Sequence, residues 1–219
     1  MHPDILALGQ EELEKAHQRG LLVDFHVTHC GDDLFLIMTH ERGENNEEVH
    51  RLAWDTFVKG TEVAKKLKLY GAGQDLLADA FSGNIRGAGP GSAEMEIDER
   101  PSEPIIVFMG DKTSAGSFNL PFYKMFADPF NTAGLIIGET LHQGFTFEIQ
   151  DVREHLQISL HAPEEAYDAL ILMGAPSRYA VKRVFGRATG EIAAVSSTDK
   201  LSLIAGRYVG KDDPTCVVR

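Results

Sequence analysis

The sequence has 219 residues, 43 % hydrophobic and 25 % charged, and this composition excludes collagen-like, coiled-coil and disordered classes for the chain as a whole. The net charge of −12 argues against a general binder of nucleic acid or of anionic membranes, because either would need a basic surface. Two cysteines cannot build a disulfide framework, and neither a signal peptide nor an apolar run of about 20 residues is visible. We therefore predict a single cytoplasmic domain over residues 1–219.

The first predicted elements surround a pair of adjacent aspartates. A short helix over 11–19 ends at Gly20, and residues 21–29 alternate apolar and polar side chains as a half-buried strand does. A second strand follows over 34–39. The Gly31-Asp32-Asp33 tripeptide between the two strands suits a tight turn, so we expect two carboxylates at one end of a sheet.

The rest of the chain contains more predicted strands than helices. The longest helical pattern covers 47–69, and a glycine-rich loop is predicted over 82–91. Further helices are expected over 75–81 and 164–173, and further strands over 93–97, 105–109 (a buried strand), 135–137, 145–152, 157–160, 179–185, 192–196, 203–208 and 215–219. Consecutive strands favour an α+β fold with mostly antiparallel or mixed sheets over a strictly alternating parallel fold.

Acidic residues beside glycine follow or end several of these strands. They are Asp32-Asp33, Asp111 and Asp212-Asp213, and Gln74 offers an amide oxygen as a further donor. Mg²⁺ prefers oxygen ligands and usually keeps waters and substrate phosphate, so these residues together predict a magnesium site. Aspartate is also a common turn residue, and each position taken alone is better explained by a turn than by a metal site.

Lys211 lies between Tyr208 and the Asp212-Asp213 pair. An amine that attacks a carbonyl must first lose its proton, and a tyrosine three residues earlier could exchange that proton. On the spacing alone, a solvated surface lysine is the favoured interpretation. The surrounding run 206–212 lacks the spacing and the Ser or Thr of a phosphate-binding P-loop, and the chain has neither a G-x-S-x-G nor an H-E-x-x-H motif.

Longer motifs resemble one known family. They occupy residues 29–34, 37–40, 70–77, 81–84, 108–113, 119–121, 125–131 and 205–214, in one colinear order, and the last of them reads A-G-R-Y-V-G-K-D-D-P. Together they resemble the archaeal-type (class V) fructose-1,6-bisphosphate aldolase/phosphatase family. The resemblance covers essentially the whole chain.

The resemblance implies a bifunctional gluconeogenic enzyme. One activity condenses dihydroxyacetone phosphate with glyceraldehyde 3-phosphate, and the other hydrolyses the C1 phosphate of fructose 1,6-bisphosphate to give fructose 6-phosphate. The resemblance also implies a four-layer α-β-β-α sandwich, a homo-octamer and Mg²⁺ as cofactor. The implied site residues are Lys211 as the Schiff-base lysine, Tyr208 as its proton donor and acceptor, Asp32, Asp33, Gln74, Asp111, Asp212 and Asp213 as magnesium ligands, and Tyr70, Gly83, Asn84 and Lys112 as substrate contacts.

Two further expectations follow from the resemblance. Lys211 and the Asp212-Asp213 pair are too close in sequence to enter one small cavity together, so we expect their loop to present them in turn, with Gly206 and Gly210 as hinges. The family has a further strand before the position of Met1 and continues beyond Arg219, so we expect a chain that is incomplete at both ends. A truncated, inactive module that only binds sugar phosphate or oligomerises, and a magnesium phosphatase without aldolase activity, are the alternatives.

Overall fold

A computed structural model describes residues 1–69, 91–101, 103–131, 138–197, 199–200 and 213–219. The described residues fall into two compact units. The first contains residues 1–69 together with Lys200, and the second contains the other described residues from Gly91 onwards.

The first unit consists of two helices and a hairpin: α1 (Pro3–Gln18), β1 (Asp24–Cys30), β2 (Asp33–Thr39) and α2 (Glu47–Lys66). Helix α1 begins where the ring of His2 accepts a hydrogen bond from the amide of Asp4, and α2 begins where the side chain of Asn46 accepts two backbone amides. One apolar face of each helix is buried in a common core that contains Leu13, Ala16, Leu21, Leu22, Val49 and Leu52.

The second unit is built on an antiparallel sheet of six strands in the order β4-β10-β8-β7-β5-β6. The strands are β4 (Ile106–Met109), β5 (Phe145–Asp151), β6 (Leu156–Ala162), β7 (Tyr179–Gly186), β8 (Ile192–Ser196) and β10 (Thr215–Val218). The described part of the unit also contains two helices, α3 (Asn119–Phe126) and α4 (Ala166–Met173), the two-residue strand β3 (Gly91–Ser92), and Asp199, the first residue of the two-residue strand β9 (Asp199–Lys200).

One face of this sheet forms the core of the second unit. Every second residue of β5 is buried, including Phe147 and Ile149, as a period of two requires. Phe122 of α3 and Met173 of α4 contribute to the same core, so both helices cover this face.

A buried asparagine links the two helices to the sheet. The Nδ2 group of Asn119 donates to the carbonyl of Met173 at 3.1 Å and to that of Tyr179 at 2.8 Å, and its Oδ1 accepts the amide of Val181 at 2.9 Å. Asn119 of α3 therefore pairs with three backbone groups, one from Met173 of α4 and two from Tyr179 and Val181 of β7.

The predicted α+β class and antiparallel sheets are confirmed. The prediction of a strand over 93–97 is wrong, because those residues have no regular structure and only 91–92 form a strand. The prediction that 105–109 is buried is also wrong, because Ile106 and Phe108 of β4, which is the end strand among the described strands of its sheet, are exposed. Helix α1 begins eight residues before its predicted start, and α3 was not predicted.

Several predictions are not tested by these two units. The predicted elements 75–81, 135–137 and 203–208 lie outside the described residues, as does nearly all of the loop 82–91. The four-layer arrangement and the single domain stay predictions. Among the helices that the structure describes, none has both the length and the hydrophobicity that crossing a bilayer requires.

Candidate active site

In the first unit, a two-residue turn carries the first predicted carboxylates. Strands β1 and β2 pair from Asp24↔Thr39 to Cys30↔Asp33, which leaves Gly31 and Asp32 as the loop. Gly31 has φ +58°, a value that a hairpin loop of this length needs and that glycine adopts without strain. Asp32 is exposed and Asp33 is half-buried, so the predicted turn at the end of the hairpin is confirmed.

In the second unit, the pairing of β4 with β10 brings three predicted site residues to one end of the sheet. The two strands are antiparallel, and Thr215 lies opposite Met109. The chain therefore leaves β4 towards Asp111 and Lys112 at the same end at which Asp213 leads into β10. Strand ends present side chains from a rigid support, which suits a binding site.

These three residues are joined by two hydrogen bonds. The backbone amide of Lys112 donates to Oδ1 of Asp213 at 2.7 Å, and Nζ of Lys112 donates to Oδ1 of Asp111 at 2.6 Å. Lys112 has φ +53°, a left-handed conformation that is uncommon for a lysine. Because the carboxylate of Asp213 accepts the amide of this residue, it helps to keep the turn in that conformation.

The start of β10 is held by neighbouring strands on both sides. The carbonyl of the buried Pro214 accepts the amide of Gly110 at 2.8 Å. The hydroxyl of Thr215 donates to the carbonyl of Phe108 at 2.9 Å, and the amide of Thr215 donates to Oγ of Ser197 at 2.8 Å. Sequence reasoning missed Ser197 and Thr215, because only the pairing of β4 and β10 with the end of β8 brings them beside Asp213.

The thiol of Cys216, near this end of the described sheet, is chemically unreactive in the folded protein. Cys216 is fully buried in β10, and this burial raises the pKa of its thiol to about 12, although a hydrogen bond with the backbone of Phe108 opposes the rise. The thiol therefore stays protonated at neutral pH. The side-chain donors that Asp111 and Asp213 offer are oxygens, which are the donors that hard cations such as Mg²⁺ prefer.

Of the predicted site residues, the structure describes five. Asp32 and Asp33 belong to the first unit, and Asp111, Lys112 and Asp213 are brought together in the second. The remaining seven lie outside the described residues and stay predictions: Tyr70, Gln74, Gly83, Asn84, Tyr208, Lys211 and Asp212.

Comparison with known proteins identifies the family of this chain. The sequence model of the fructose-1,6-bisphosphatase family matches residues 1–219. The chain belongs to that family. It is 60 % identical over 219 residues to a fructose-1,6-bisphosphate aldolase/phosphatase of Ignicoccus hospitalis and 58 % identical over 219 residues to one of Moorella thermoacetica. A relative of the same name from Methanothermobacter marburgensis is 59 % identical over 209 residues.

The matches cover nearly all of this chain but only part of each relative. The first two extend over 100 % of the chain and the third over 95 %. The chain spans 56 % of the length of the Ignicoccus protein and 57 % of the other two.

Proposed function

We propose that this protein is a bifunctional, magnesium-dependent enzyme of gluconeogenesis. It condenses dihydroxyacetone phosphate with glyceraldehyde 3-phosphate, and it hydrolyses the C1 phosphate of the resulting fructose 1,6-bisphosphate. Membership of the fructose-1,6-bisphosphatase family and the printed names of the relatives support both activities. The single structural observation that supports the proposal most strongly is the hydrogen bond from the amide of Lys112 to Asp213, which links two predicted site motifs 101 residues apart.

The proposed magnesium ligands are oxygen donors. They are Asp32, Asp33, Gln74, Asp111, Asp212 and Asp213. The donors fit Mg²⁺, because carboxylates and an amide are hard ligands and the exposed or half-buried side chains of the described members leave room for waters and a phosphate. When bound, the metal would neutralise charge on the transferring phosphoryl group and activate water.

The proposed substrate contacts are Tyr70, Gly83, Asn84 and Lys112. Lys112 is the member that the structure describes, and its side chain is largely exposed beside Asp111. A lysine ammonium is a compact positive charge with three donors, which suits a phosphate oxygen. The φ of +53° at Lys112 directs the backbone of this turn, so the position of the ammonium depends on the contact with Asp213.

The proposed aldolase step belongs to Lys211 and Tyr208. The neutral amine of Lys211 adds to the ketone carbon of dihydroxyacetone phosphate, and loss of water leaves the imine, for which Tyr208 donates and accepts the proton. The same segment carries Asp212 and Asp213, which serve the hydrolysis. We propose that the amine and the carboxylates act in turn, with Gly206 and Gly210 as hinges.

Phosphate release tests the phosphatase half of the proposal. In the full chain, Asp111→Asn and Asp213→Asn keep the shape of the side chain and remove its charge. We expect a loss of at least about 100-fold in the release of phosphate from fructose 1,6-bisphosphate, because weakened metal binding and lost charge stabilisation act together. Asp168→Asn, an exposed aspartate in the first turn of α4, is the matched control and should leave the rate unchanged. Equal rates in all three variants would contradict the proposed ligands.

Borohydride trapping tests the aldolase half and separates the alternatives. Reduction in the presence of labelled dihydroxyacetone phosphate should label Lys211, and Lys211→Arg should abolish the label, whereas Lys66→Arg on the exposed end of α2 should not. Phosphate release without a label would indicate a phosphatase alone. Neither activity would indicate a module that only binds sugar phosphate or oligomerises.

Assembly and location complete the proposal. We propose a homo-octamer in the cytoplasm, as the resemblance implies, acting on small sugar phosphates without nucleic-acid or membrane partners. Light scattering coupled to gel filtration of the full chain measures the mass directly, and a mass of one or two protomers at micromolar concentration would contradict the octamer.

A further inference from the structure

The start of β10 carries more hydrogen bonds than strand pairing alone requires. Over three consecutive residues, Asp213 accepts an amide at 2.7 Å, the carbonyl of Pro214 accepts one at 2.8 Å, and the amide and hydroxyl of Thr215 both donate. Two of these contacts use side-chain hydroxyls, those of Thr215 and Ser197.

Ser197 is the deeper of the two hydroxyl-bearing residues. It is 2 % exposed, its Oγ accepts the amide of Thr215 at 2.8 Å, and its own amide donates to the carbonyl of Thr215 at 2.9 Å. Ser197 and Thr215 therefore hold each other through a pair of bonds of which only one is backbone-to-backbone. A buried serine that accepts a backbone amide fixes that amide in one orientation.

Thr215 connects this pair to β4. Its hydroxyl donates to the carbonyl of Phe108, two residues before Gly110. The space around Gly110 is also limited, because a Cβ there would approach the hydroxyl of Thr113 to 3.2 Å and the ring of Pro214 to 3.5 Å. The segments that carry Asp111 and Asp213 are thus held against each other by three contacts. They are the hydrogen bond from Thr215 to Phe108, the hydrogen bond from Gly110 to Pro214, and the packing of Gly110 against the ring of Pro214.

We infer that Ser197 and Thr215 are positioning residues for the carboxylate of Asp213 and, through the amide of Lys112, for that of Asp111. This inference rests on the proposed function. Mg²⁺ demands near-ideal octahedral geometry, so small displacements of a ligand reduce its affinity. Residues that orient ligands from behind typically change metal affinity by 10-fold or more when they are replaced. Neither hydroxyl touches the metal or the substrate in this assignment.

The test compares the loss of each hydroxyl with the loss of a neighbouring one. Ser197→Ala and Thr215→Val remove the two bonds, and Thr215→Ser keeps the hydroxyl at position 215. Ser196→Ala is the matched control, because Ser196 is also buried in the adjacent strand and its hydroxyl donates to the carbonyl of Val181, away from Asp213.

Two measurements on the full chain distinguish positioning from stability. Binding of Mn²⁺ is followed by electron paramagnetic resonance without substrate, and the Mg²⁺ concentration for half-maximal phosphate release from fructose 1,6-bisphosphate is determined separately. We expect Ser197→Ala and Thr215→Val to weaken both roughly 10-fold. Thr215→Ser should retain the wild-type values, and Ser196→Ala should lower the urea midpoint without changing either metal measurement.

Two results would overturn the inference. One is that Ser197→Ala and Thr215→Val lower the urea midpoint but bind Mn²⁺ as the wild type does. The other is that Ser196→Ala weakens Mn²⁺ binding as much as they do. Should Ser197→Ala fail to fold, the Thr215→Val and Thr215→Ser pair decides alone. If the wild-type chain neither binds Mn²⁺ nor releases phosphate, the proposed function is overturned as well. That outcome differs from failure of the positioning role alone, in which the wild type binds Mn²⁺ and releases phosphate but the variants behave as the wild type does.

Discussion

Replacing Asn119 by leucine should destabilise the second unit more than any exposed substitution of the same kind. The leucine is similar in size, so the change removes three hydrogen bonds without leaving a large cavity. The carbonyls of Met173 and Tyr179 and the amide of Val181 then lose their partner at a site that is 3 % exposed. Each such bond contributes about 1 kcal/mol net, and an unsatisfied buried group costs more, so the expected loss is about 3–5 kcal/mol.

Urea unfolding followed by far-ultraviolet circular dichroism measures this loss. Tryptophan fluorescence is less suitable, because the single tryptophan, Trp54, lies in α2 of the first unit. Hydrogen exchange at the amide of Val181 gives a local readout and should accelerate when its acceptor is removed. Gln157→Leu, the same change from amide to leucine at an exposed position of β6, is the control and should cost less than about 0.5 kcal/mol. A loss below about 1 kcal/mol for Asn119→Leu would refute the reasoning from unsatisfied groups.

Three further outcomes follow from the described contacts. Asn46→Ala removes the side chain that accepts two amides at the start of α2 and should cost about 1 kcal/mol in urea unfolding, whereas Asn46→Ser should cost less. The guanidinium of Arg178 holds the pKa of the Asp151 carboxyl below its ordinary value of 3.8. This pair therefore stabilises the fold above pH 3.8, and the stabilisation is lost as the pH falls through the folded-state pKa. Asp151→Asn should flatten the dependence of the free energy of unfolding on pH in that range. Ellman's reagent should modify the half-buried Cys30 in the folded protein but Cys216 only after unfolding, and rapid modification of both would contradict the burial of Cys216.

Local sequence patterns predicted the elements whose signals are themselves local. The Gly31-Asp32-Asp33 turn lies between two alternating runs, and the strands observed around it pair in the register that a two-residue loop imposes. Helix α2 has a complete apolar face and a capping asparagine, and its observed start at Glu47 agrees with the prediction. In such segments, periodicity and turn chemistry indicate the same structure.

The missed elements have weak local signals. Helix α3 has eight residues, contains Pro121 in its first turn and begins without a side-chain cap, so neither length nor capping indicated it. Residues 93–97 alternate as a strand does but form no ladder. The apolar run 105–109 resembles a buried strand, yet its exposure depends on its place at the end of the sheet, which no local pattern contains.

The candidate site likewise contains residues that the local sequence indicated and contacts that it did not. Acidic residues beside glycine indicated Asp111 and Asp213 separately, since strand ends and turns leave a mark in the sequence. The bond between the amide of Lys112 and Asp213 spans 101 residues, and nothing near either residue predicts it. The support from Ser197 was equally hidden, because a buried serine at the end of a strand has no distinctive neighbours in the sequence.

The position of β10 between β4 and β8 has a consequence for folding during synthesis. The hairpin strands β5 to β8 can pair soon after each leaves the ribosome, but β4 finds its neighbour only when residues 215–218 have been translated. At roughly 5–20 residues per second, the interval of about 100 residues lasts roughly 5–20 s. During that time the backbone of β4 lacks the partner that β10 provides in the described sheet, so a nascent chain would benefit from a chaperone that covers this segment until translation reaches β10.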